Sequence, residues 1–452
     1  MTRTLVYGLA IAGRAVATSL VKRGHEVIAA DDKLTEDSRY FARQLGIETI
    51  DKPPADRIEH LVRSVDQVAP SPGIPENHPL IRASWRAGKP LRTEIDLAAE
   101  FEADRRGGPR PFLAITGTDG KTTVTTLVTA IMNASGWRAE DVGNTDLPLI
   151  TAIDDDSLDV FVVECASFRL RWIDRFAPKV GTWLNLAPDH LNWHPSIEAY
   201  ADAKARIWEH QQPSDVAVAF ADDPVVMAHA RAARSRLVTF GTVGDYHERS
   251  GRLFGPYGEL LDSALLFRNL PHDRTNALAA AATALESGLG TLDGVQTALM
   301  AFRGIPHRIA LVANAGGISW YDDSKATTPH AAVAAMRGFD SVVLIAGGRN
   351  KDLDLRALTA AAAHVRAVVA IGDSAGEIEQ AFRGMCPVVK ATSMDAAVSA
   401  AADLARPGDA VVLSPGCTSF DWYNSYGERG DDFIRAVRFH LGVATSEVAS
   451  TP

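Results

Sequence analysis

The stretch that decides the fold is Ala114-Ile-Thr-Gly-Thr-Asp-Gly-Lys-Thr-Thr-Val124. It includes the end of an apolar strand predicted at Phe112–Thr116, and a helix is expected from Thr122. Gly117 and Gly120 let the backbone fold round an anion, and amide groups at a helix N-terminus point towards such a ligand. The pattern predicts a loop that holds the phosphates of a nucleotide.

Two side chains of this loop have the chemistry that a nucleotide needs. Lys121 would neutralise the β- and γ-phosphates, and the Thr122 hydroxyl would bind Mg²⁺. The loop is shorter than the common form, because Ile115 stands where the first glycine usually lies. An ordinary strand-to-helix turn with a surface lysine is the alternative. The predicted ATP-binding residues of the loop are Gly117, Thr118, Asp119, Gly120, Lys121, Thr122 and Thr123.

Alternation of strands and helices recurs in three blocks along the 452 residues, which predicts an α/β protein of three domains. The first domain, at 1–100, is expected to be Rossmann-like. The second, at 101–304, is expected to be a P-loop-type ATP-binding domain with a mostly parallel sheet. The third, at 305–452, is expected to be a C-terminal Rossmann-like α/β domain.

Apolar runs bounded by turn residues predict the strands, and longer alanine-rich or amphipathic runs predict the helices. The expected strands are Thr4–Tyr7, Glu26–Ala30, Phe112–Thr116, Val160–Val163, Gly181–Asn185, Ser341–Ile345, Ala367–Ile371 and Ala410–Leu413. The expected helices lie around Arg14–Arg23, Asn276–Ser287, Asp354–His364, Ser374–Arg383 and Met394–Leu404.

The composition excludes several classes of protein. The net charge of −10 argues against a general binder of nucleic acid. Cys165, Cys386 and Cys417 are too few and too widely spaced for a disulfide framework or a zinc site. No run of about 18 apolar residues predicts a membrane span. The first residues lack the charged-then-apolar layout of a signal peptide, so a cytoplasmic protein is expected.

A second glycine turn, Gly8-Leu-Ala-Ile-Ala-Gly13, follows the first strand, and Asp31 ends the next strand. This arrangement is typical of dinucleotide-binding turns, but Ala10 occupies the position where backbone must approach a pyrophosphate. A nicotinamide-dependent dehydrogenase is therefore one alternative, although it leaves the loop 117–123 unexplained. A non-catalytic nucleotide-binding module is another, since a phosphate loop alone does not separate kinase, ATPase, ligase and regulatory domains.

The loop Thr116–Thr123 resembles the ATP loop of the Mur ligases, relatives of folylpolyglutamate synthetase. The resemblance continues along most of the chain, at Ser71-Pro-Gly-Ile74, Gly143-Asn144, Glu164, Asn185-Leu-Ala-Pro-Asp-His190, Lys204, His272-Asp-Arg-Thr-Asn276, Pro306-His-Arg308, Asp322-Asp-Ser-Lys-Ala-Thr327 and Leu413-Ser-Pro-Gly-Cys-Thr-Ser-Phe420. The last two segments are similar to those of members that add glutamate to UDP-N-acetylmuramoyl-L-alanine.

The resemblance implies an activity and its partners. ATP, with Mg²⁺, would phosphorylate the alanine carboxylate of UDP-N-acetylmuramoyl-L-alanine, and the amine of glutamate would attack the acyl phosphate. This reaction belongs to peptidoglycan precursor synthesis, hence to cell wall biogenesis, cell shape and cell division. D-Glutamate is the expected enantiomer, and L-glutamate or another amino acid is the alternative within the family. A monomer is expected.

The resemblance also implies the catalytic and metal-binding residues. The catalytic set is Lys121, Glu164, His190 and Lys204, and the metal set has Thr122 in place of Lys121. In the family the lysine that matches Lys204 carries CO₂ as a carbamate, which makes it an anionic oxygen ligand. From composition alone, Lys204 would be a solvated helix lysine and His190 a hydrogen-bonded loop histidine.

The remaining site residues are implied in the same way. Further ATP contacts are Asn276, Arg308, Asp323 and Lys325. Glutamate contacts are Thr327, Lys351, Ser419, Phe420 and Tyr426. Contacts to the UDP precursor are Gly8, Ile11, Ala12, Asp31, Gly73, Asn144 and Arg169. Three positions depart from the family pattern: Ala12 replaces a hydroxyl residue, Arg169 a glutamine and Asp273 an asparagine.

Overall fold

The computed structural model describes residues 1–145, 147–191, 193–351 and 353–442. The chain forms two compact units. The first comprises Met1–Leu186, Leu191–Asn269 and Asp273–Phe302. The second comprises Ala187–His190, Leu270–His272 and the residues from Arg303 onwards. Among the described residues, no helix combines the length and the apolar character needed to cross a lipid bilayer.

The first sheet of the first unit has four parallel strands in the order β3-β2-β1-β4, as expected of a Rossmann-like block. Its strands are β1 (Arg3–Tyr7), β2 (Glu26–Asp31), β3 (Glu48–Asp51) and β4 (Gln67–Pro70). The accompanying helices are α1 (Ile11–Lys22), α2 (Glu36–Leu45), α3 (Ala55–Arg63), α4 (Pro79–Arg86) and α5 (Glu94–Ala103). Helix α1 begins three residues before the predicted Arg14, because the glycine turn is short.

The second sheet of this unit has six parallel strands in the order β10-β9-β8-β5-β7-β6. Its strands are β5 (Phe112–Thr116), β6 (Ala139–Gly143), β7 (Val160–Glu164), β8 (Val180–Trp183), β9 (Val216–Phe220) and β10 (Arg236–Phe240). Its helices are α6 (Lys121–Ala134), α7 (Leu149–Ala152), α8 (Ser167–Leu170), α9 (Ile197–Ala205), α10 (Pro224–Ala230), α11 (Pro271–Glu286) and α12 (Leu292–Ala301), with a 3₁₀ turn at Arg206–Trp208.

The central strands of that sheet are apolar over their whole length because both faces are buried. Strand β5 lies between β7 and β8, with Ile115 opposite Glu164 and Thr116 opposite Trp183. All the strands run the same way, so the loop after β5, the end of β7 and the end of β8 meet at one edge. The phosphate loop and Glu164 are thereby brought to the same place.

A small antiparallel sheet was not predicted. It consists of β11 (His247–Arg249), β12 (Arg252–Gly255) and β13 (Gly258–Asp262), followed by a 3₁₀ turn at Ser263–Leu265. These strands have three to five residues and several charged side chains, so no apolar run marks them. Their buried leucines, Leu253, Leu260 and Leu261, pack into the same core as α6 and α12.

The second unit holds a six-stranded sheet in the order β14-β15-β19-β16-β17-β18, in which only the edge pair β14–β15 is antiparallel. Its strands are β14 (Ala310–Ala315), β15 (Ile318–Asp322), β16 (Val342–Gly347), β17 (Val365–Ile371), β18 (Val388–Lys390) and β19 (Ala410–Leu413). Its α-helices are α13 (Pro329–Met336), α14 (Ala375–Ala381), α15 (Met394–Leu404) and α16 (Tyr426–Leu441). Three mainly parallel α/β sheets confirm the predicted fold class.

The helix predicted around Asp354–His364 is present as a 3₁₀ run at Leu355–His364, with non-helical backbone at Ala361. Nothing in the sequence marks the break. By contrast, α16 begins as a capping sequence should, because the Ser425 hydroxyl accepts from the Glu428 amide at 3.1 Å.

Candidate functional site

The phosphate loop connects β5 to α6, and its shape depends on Gly120. This residue has a left-handed backbone, with φ of +85°. A Cβ atom here would lie 2.9 Å from Oδ1 of Asn276, so the side chain from α11 lies directly against the loop. Helix α11 is held by a 2.7 Å bond between the buried hydroxyls of Thr182 and Thr283. The structure thus places Asn276 beside the loop, as the predicted ATP contact requires.

Asn185, just after β8, sets the first half of the loop. Its Oδ1 accepts from the amides of Thr118 and Asp119 at 3.0 and 2.9 Å. Its Nδ2 donates to the Asp119 carbonyl at 3.1 Å. These two amides are used within the protein. The amides in the first turn of an α-helix point out of the helix towards an approaching anion. An anion would therefore be held at the start of α6.

Lys121 folds back over the loop. Its Nζ atom donates to the carbonyls of Gly117 and Thr118 at 2.9 and 2.8 Å. The ammonium group therefore lies on the loop where phosphate oxygens would bind, and polyphosphate oxygens would compete with the two carbonyls for it. Thr122 follows in the first turn of α6 and is partly exposed.

Lys204 is not the solvated helix lysine that composition suggested. Its side chain is 1% exposed, and Nζ donates to the Gly117 carbonyl at 2.6 Å. The same ammonium lies 4.4 Å from the ring centroid of Tyr200, one helical turn earlier in α9. A lysine is almost never fully buried without a specific reason, so burial beside the phosphate loop marks Lys204 as a functional candidate.

Glu164 ends β7 with a buried carboxylate that is only half satisfied. Its Oε1 accepts from Nδ2 of Asn144 at 3.0 Å. Its Oε2 has no hydrogen-bond partner among the residues that the structure describes. Buried polar atoms are normally paired, so an unpaired carboxylate oxygen at the phosphate edge of the sheet suits a cation.

These residues fit a magnesium ion that is shared with phosphates. Among the described residues, no group of three or more His, Cys, Asp or Glu side chains is arranged to hold a metal ion by itself. Mg²⁺ normally keeps several waters and takes one or two carboxylates together with substrate phosphates. The free oxygen of Glu164 and the Thr122 hydroxyl match that requirement.

Two predicted residues for the UDP precursor use their side chains elsewhere. Asp31 accepts from the amides of Leu9 and Lys33, at 2.8 and 2.9 Å, and so fixes the first glycine turn. Asn144 bonds to Glu164, as described above. In a dinucleotide-binding turn the acid at this position would bind a ribose. Here both carboxylate oxygens of Asp31 already accept from main-chain amides.

The glycine turn itself is tightly packed and partly open to solvent. Gly8 has φ of +94°, and its carbonyl accepts from the Ser71 hydroxyl at 2.6 Å. Ser71 begins the segment that contains Gly73, which has open space round its Cα atom. Ile11 is exposed, whereas Ala12 is buried. The structure thus brings the turn 8–13 and the segment 71–74 together.

Arg169 lies in a different environment from the expected precursor contact. Its Nη1 donates to Oε2 of Glu94, and both side chains are buried. The other carboxylate oxygen accepts from the Ile150 amide at 2.7 Å. Burial raises the pKa of Glu94, and the Arg169 charge opposes that shift. The pair joins the first block to the second, and its sequence separation of 75 residues kept it from being predicted.

A buried histidine that the sequence analysis did not single out makes a second such link. His194 bonds through Nδ1 to Glu76 at 3.1 Å and through Nε2 to the Ser167 hydroxyl at 2.8 Å. Its neighbour Trp193 donates to the Pro72 carbonyl at 3.1 Å. Burial lowers the pKa of His194 to about 4, so the ring is neutral at physiological pH. These bonds hold the segment 71–76 beside α8.

Within the second unit, His190 and Lys351 share one carboxylate. His190 has a left-handed backbone, with φ of +55°. Its Nε2 lies 3.3 Å from Oδ2 of Asp189, and Lys351 Nζ lies 3.3 Å from Oδ1 of the same residue. The buried Asp189 therefore sits between a predicted catalytic histidine and a predicted glutamate contact.

The three predicted ATP contacts of the second unit lie on two adjacent segments. The Lys325 amide donates to the His307 carbonyl at 3.0 Å, and the Ile309 amide donates to Asp323 at 3.2 Å. Arg308 lies between those two attachment points. The Asp323 carboxylate also accepts from the Ser414 hydroxyl at 2.6 Å, a contact that the sequence analysis had not predicted.

The predicted glutamate contacts lie beyond the carboxyl-terminal edge of this sheet, after β15, β16 and β19, and at the start of α16. Lys325 Nζ lies 5.5 Å from the ring centroid of Tyr426. Phe420 and Tyr426 are exposed, at 60% and 40%, whereas Ser419 is buried. Thr327 follows Lys325 in a turn, where its amide donates to the Lys325 carbonyl at 2.9 Å.

Two family models match the chain. They are described as "Mur ligase middle domain", over residues 115–284, and "Mur ligase, glutamate ligase domain", over residues 307–417. A Frankia casuarinae protein named UDP-N-acetylmuramoylalanine--D-glutamate ligase is 40% identical, covering 97% of this chain and 94% of that protein. A Rubrobacter xylanophilus protein of the same name is 38% identical, covering 96% of this chain and 98% of that protein.

Solved structures resemble the fold at lower identity. MurF from Acinetobacter baumannii has a TM-score of 0.60 at 18% identity, covering 96% of this chain and 90% of that one. UDP-N-acetylmuramate-alanine ligase MurC from Thermotoga maritima has a TM-score of 0.57 at 20% identity, covering 97% of this chain and 100% of that one. These likenesses bear on the fold alone.

Proposed function

The chain belongs to the Mur ligase family, and from that membership we propose that it joins D-glutamate to UDP-N-acetylmuramoyl-L-alanine at the expense of ATP. The product is the dipeptide precursor of peptidoglycan, with ADP and phosphate. The observation that carries the proposal is the match to D-glutamate ligases at up to 40% identity over nearly the whole chain. The buried Lys204 and Glu164 beside the phosphate loop support it.

The reaction has two steps. An oxygen of the alanine carboxylate attacks the γ-phosphorus of ATP, and the bond from that phosphorus to the ADP oxygen breaks. The glutamate amine then attacks the carbonyl carbon of the acyl phosphate and loses a proton, and the carbon–oxygen bond to phosphate breaks. Positioning of the reactants and neutralisation of the phosphoryl charge are the main tasks of the protein.

The first unit would hold ATP and the carboxylate to be activated. The first amides of α6 and the Lys121 ammonium would bind the β- and γ-phosphates. Glu164 Oε2 and the Thr122 hydroxyl would hold Mg²⁺, which when bound neutralises charge on the phosphates. Lys204 would complete this charge arrangement as a carbamate, with its buried position excluding water from the group.

The second unit would hold the amino acid and would carry further cations. We assign glutamate to Thr327, Lys351, Ser419, Phe420 and Tyr426, and phosphate or ribose contacts to Arg308, Asp323 and Lys325. An ammonium group and hydroxyls suit a substrate with two carboxylates. His190 is assigned to the metal and phosphate region.

The precursor would bind to the turn 8–13 and the segment 71–74. There Ile11, Ala12 and Gly73 would offer main-chain groups, and Gly8 and Asp31 would fix the shape of the turn. Arg169 would act through Glu94, and Asn144 through Glu164. We place the reaction in the cytoplasm, where ATP is available, and expect a monomer. We also propose that the chain divides into three domains, with boundaries near residues 100 and 304.

Mass spectrometry of the nucleotide product tests this function. The purified protein is incubated with UDP-N-acetylmuramoyl-L-alanine, MgATP and either D-glutamate, L-glutamate or D-aspartate. We expect a product heavier by one glutamyl residue with D-glutamate alone, and no product with the Lys121→Ala variant. Ligation of L-glutamate in preference to D-glutamate would overturn the substrate assignment, and no ligation at all would overturn the activity.

A further inference from the structure

Arg429 is a buried cation held mainly by uncharged acceptors. It lies one turn into α16 and is 1% exposed. Among the described residues, no carboxylate forms a salt bridge with it. Burial lowers the pKa of its guanidinium to about 10, so the group stays charged at neutral pH. Burying a charge is costly unless its hydrogen bonds are satisfied, and an apolar side chain of similar size would usually cost less.

The guanidinium makes four hydrogen bonds, and all four go to two other segments of the second unit. Nε donates to the Ser324 hydroxyl at 2.9 Å, and Nη2 donates to the Ser324 carbonyl at 2.8 Å. Nη1 and Nη2 both donate to the Cys417 carbonyl, at 3.2 and 3.1 Å. One planar fork thus fixes the directions of two carbonyls, which a lysine ammonium could not do with the same geometry.

A third segment packs against the same group. A Cβ atom on Gly348 would lie 3.1 Å from Nη1 of Arg429 and would collide with the Thr418 carbonyl. Arg349 and Thr418 exchange two main-chain bonds of 3.0 Å. The segment that leads to Lys351 is therefore held to the segment that leads to Ser419.

The start of α16 is held as well. The Ser324 hydroxyl donates to the Tyr426 carbonyl at 2.7 Å while it accepts from Arg429. Each of the five predicted glutamate contacts consequently lies within three residues of Arg429 itself or of a residue that its guanidinium contacts. These five are Thr327, Lys351, Ser419, Phe420 and Tyr426. Asp323 differs, because Ser414 and the Ile309 amide hold its carboxylate independently.

We propose that Arg429 is a positioning residue for the amino-acid substrate, which assembles the segments 322–327, 347–351 and 415–420 into the site that receives glutamate. It acts through Ser324 and Cys417 and does not touch the substrate. This inference rests on the proposed function, since that function assigns glutamate to these segments. The two ATP contacts in the segment 322–327 have other attachments, Asp323 through Ser414 and the Ile309 amide and Lys325 through the His307 carbonyl, so the effect falls on glutamate more than on ATP.

Steady-state kinetics of the Arg429→Met and Arg429→Lys variants test the proposal. We expect each to raise the KM for D-glutamate by about tenfold or more, the size expected from losing hydrogen bonds made by a charged group. The KM values for MgATP and for the nucleotide precursor should change by less than about threefold. Arg429→Lys should raise the KM for glutamate as Arg429→Met does, because lysine keeps the charge but lacks the planar fork.

Arg435 provides the matched control on the same helix. It is exposed and pairs with Asp395 and Asp432, so Arg435→Met should leave all three KM values unchanged. An unchanged KM for glutamate in a folded Arg429 variant would overturn the proposal. Equal increases in all three KM values would also overturn it, since they would indicate a general structural role.

Two further measurements cover the remaining outcomes. If Arg429→Met does not fold, Ser324→Ala removes one acceptor of the guanidinium and should raise the KM for glutamate by a few-fold. No increase would contradict the proposal.

If the wild-type protein does not ligate glutamate, the proposed function fails by itself. Hydrogen exchange of 322–327, 347–351 and 415–420 then decides: faster exchange in Arg429→Lys than in Arg435→Lys supports assembly by Arg429, and equal exchange overturns it.

Discussion

Lys204 and Gly117 are joined by a 2.6 Å hydrogen bond from the lysine Nζ atom to the glycine carbonyl, across 87 residues of sequence. The bond links helix α9 to the phosphate loop inside one unit. It places a buried ammonium group next to the predicted position of the ATP phosphates. Ligation by this protein would depend on how that arrangement neutralises charge during phosphoryl transfer.

Lys204→Met should abolish turnover without unfolding the protein. Methionine fills similar space in the buried site, but it can neither bond to the loop nor carry CO₂. We expect a loss of about a hundredfold or more in kcat, as found when a group that stabilises transferring charge is removed. Phosphate release measures turnover, and thermal melting reports folding. A folded Lys204→Met protein with near-normal kcat would exclude Lys204 from the catalytic set.

Gly120→Ala should weaken ATP binding selectively. The left-handed backbone costs about 1 kcal/mol for alanine, and the new methyl group would press on Asn276. We expect a rise of several-fold in the KM for MgATP and little change in the KM for glutamate. Gly136→Ala is the matched control, because Gly136 has φ of +93° with open space round it, just beyond the other end of α6. If both variants change the KM for MgATP equally, Gly120 has no particular role in the loop.

Arg169→Met should destabilise the first unit. It would leave the Glu94 carboxylate buried without its cation, which typically costs about 3–5 kcal/mol. Urea unfolding measures the loss, and Arg138→Met, which breaks an exposed pair with Asp159, should have little effect. Unchanged stability with a raised KM for the precursor would instead support the sequence-based expectation that Arg169 binds the precursor.

His307 should stabilise the second unit at low pH more than at high pH. Its Nδ1 lies 2.6 Å from Oδ2 of Asp322, and the hydrogen bond to that carboxylate raises the pKa of His307. A histidine whose pKa is raised by folding stabilises the folded state when it is protonated. This contribution is fully present below the unfolded pKa of about 6.5 and is lost as pH rises through the folded pKa.

The measurement is the difference in melting temperature between wild type and His307→Asn at several pH values. Asparagine tolerates the left-handed backbone at this position, where φ is +60°. We expect the difference to be larger at pH 6 than at pH 9. A difference that does not vary with pH would show that the His307 charge contributes nothing to stability.

The fold was largely predictable because its strands are buried on both faces. The bounds of Phe112–Thr116, Ala410–Leu413 and Met394–Leu404 agree with the predictions. The expected strand at Gly181–Asn185 ends at Trp183, because Asn185 bonds to the phosphate loop instead of to a neighbouring strand. The small antiparallel sheet was missed because its strands are short and contain charged side chains, so that no apolar run marks them.

The site was predictable only where its residues lie close together in sequence. The spacing in the loop identified Lys121, and the strand that ends at Glu164 placed this acid at the same edge of the sheet. Burial of Lys204 could not be derived from its neighbours in α9, since it arises from contact with a loop 87 residues away. Likewise nothing near Arg169 reveals Glu94, because the two meet only after the first two blocks pack together.

The central claim is that ATP activates the alanine carboxylate by phosphorylation, and isotope transfer tests it most directly. UDP-N-acetylmuramoyl-L-alanine labelled with ¹⁸O in that carboxylate is incubated with the protein, MgATP and D-glutamate, and the released phosphate is examined by mass spectrometry. Activation through an acyl phosphate should leave one ¹⁸O atom in each phosphate formed during ligation, because the bond from the carbonyl carbon to that oxygen breaks. Ligation that releases unlabelled phosphate would contradict it.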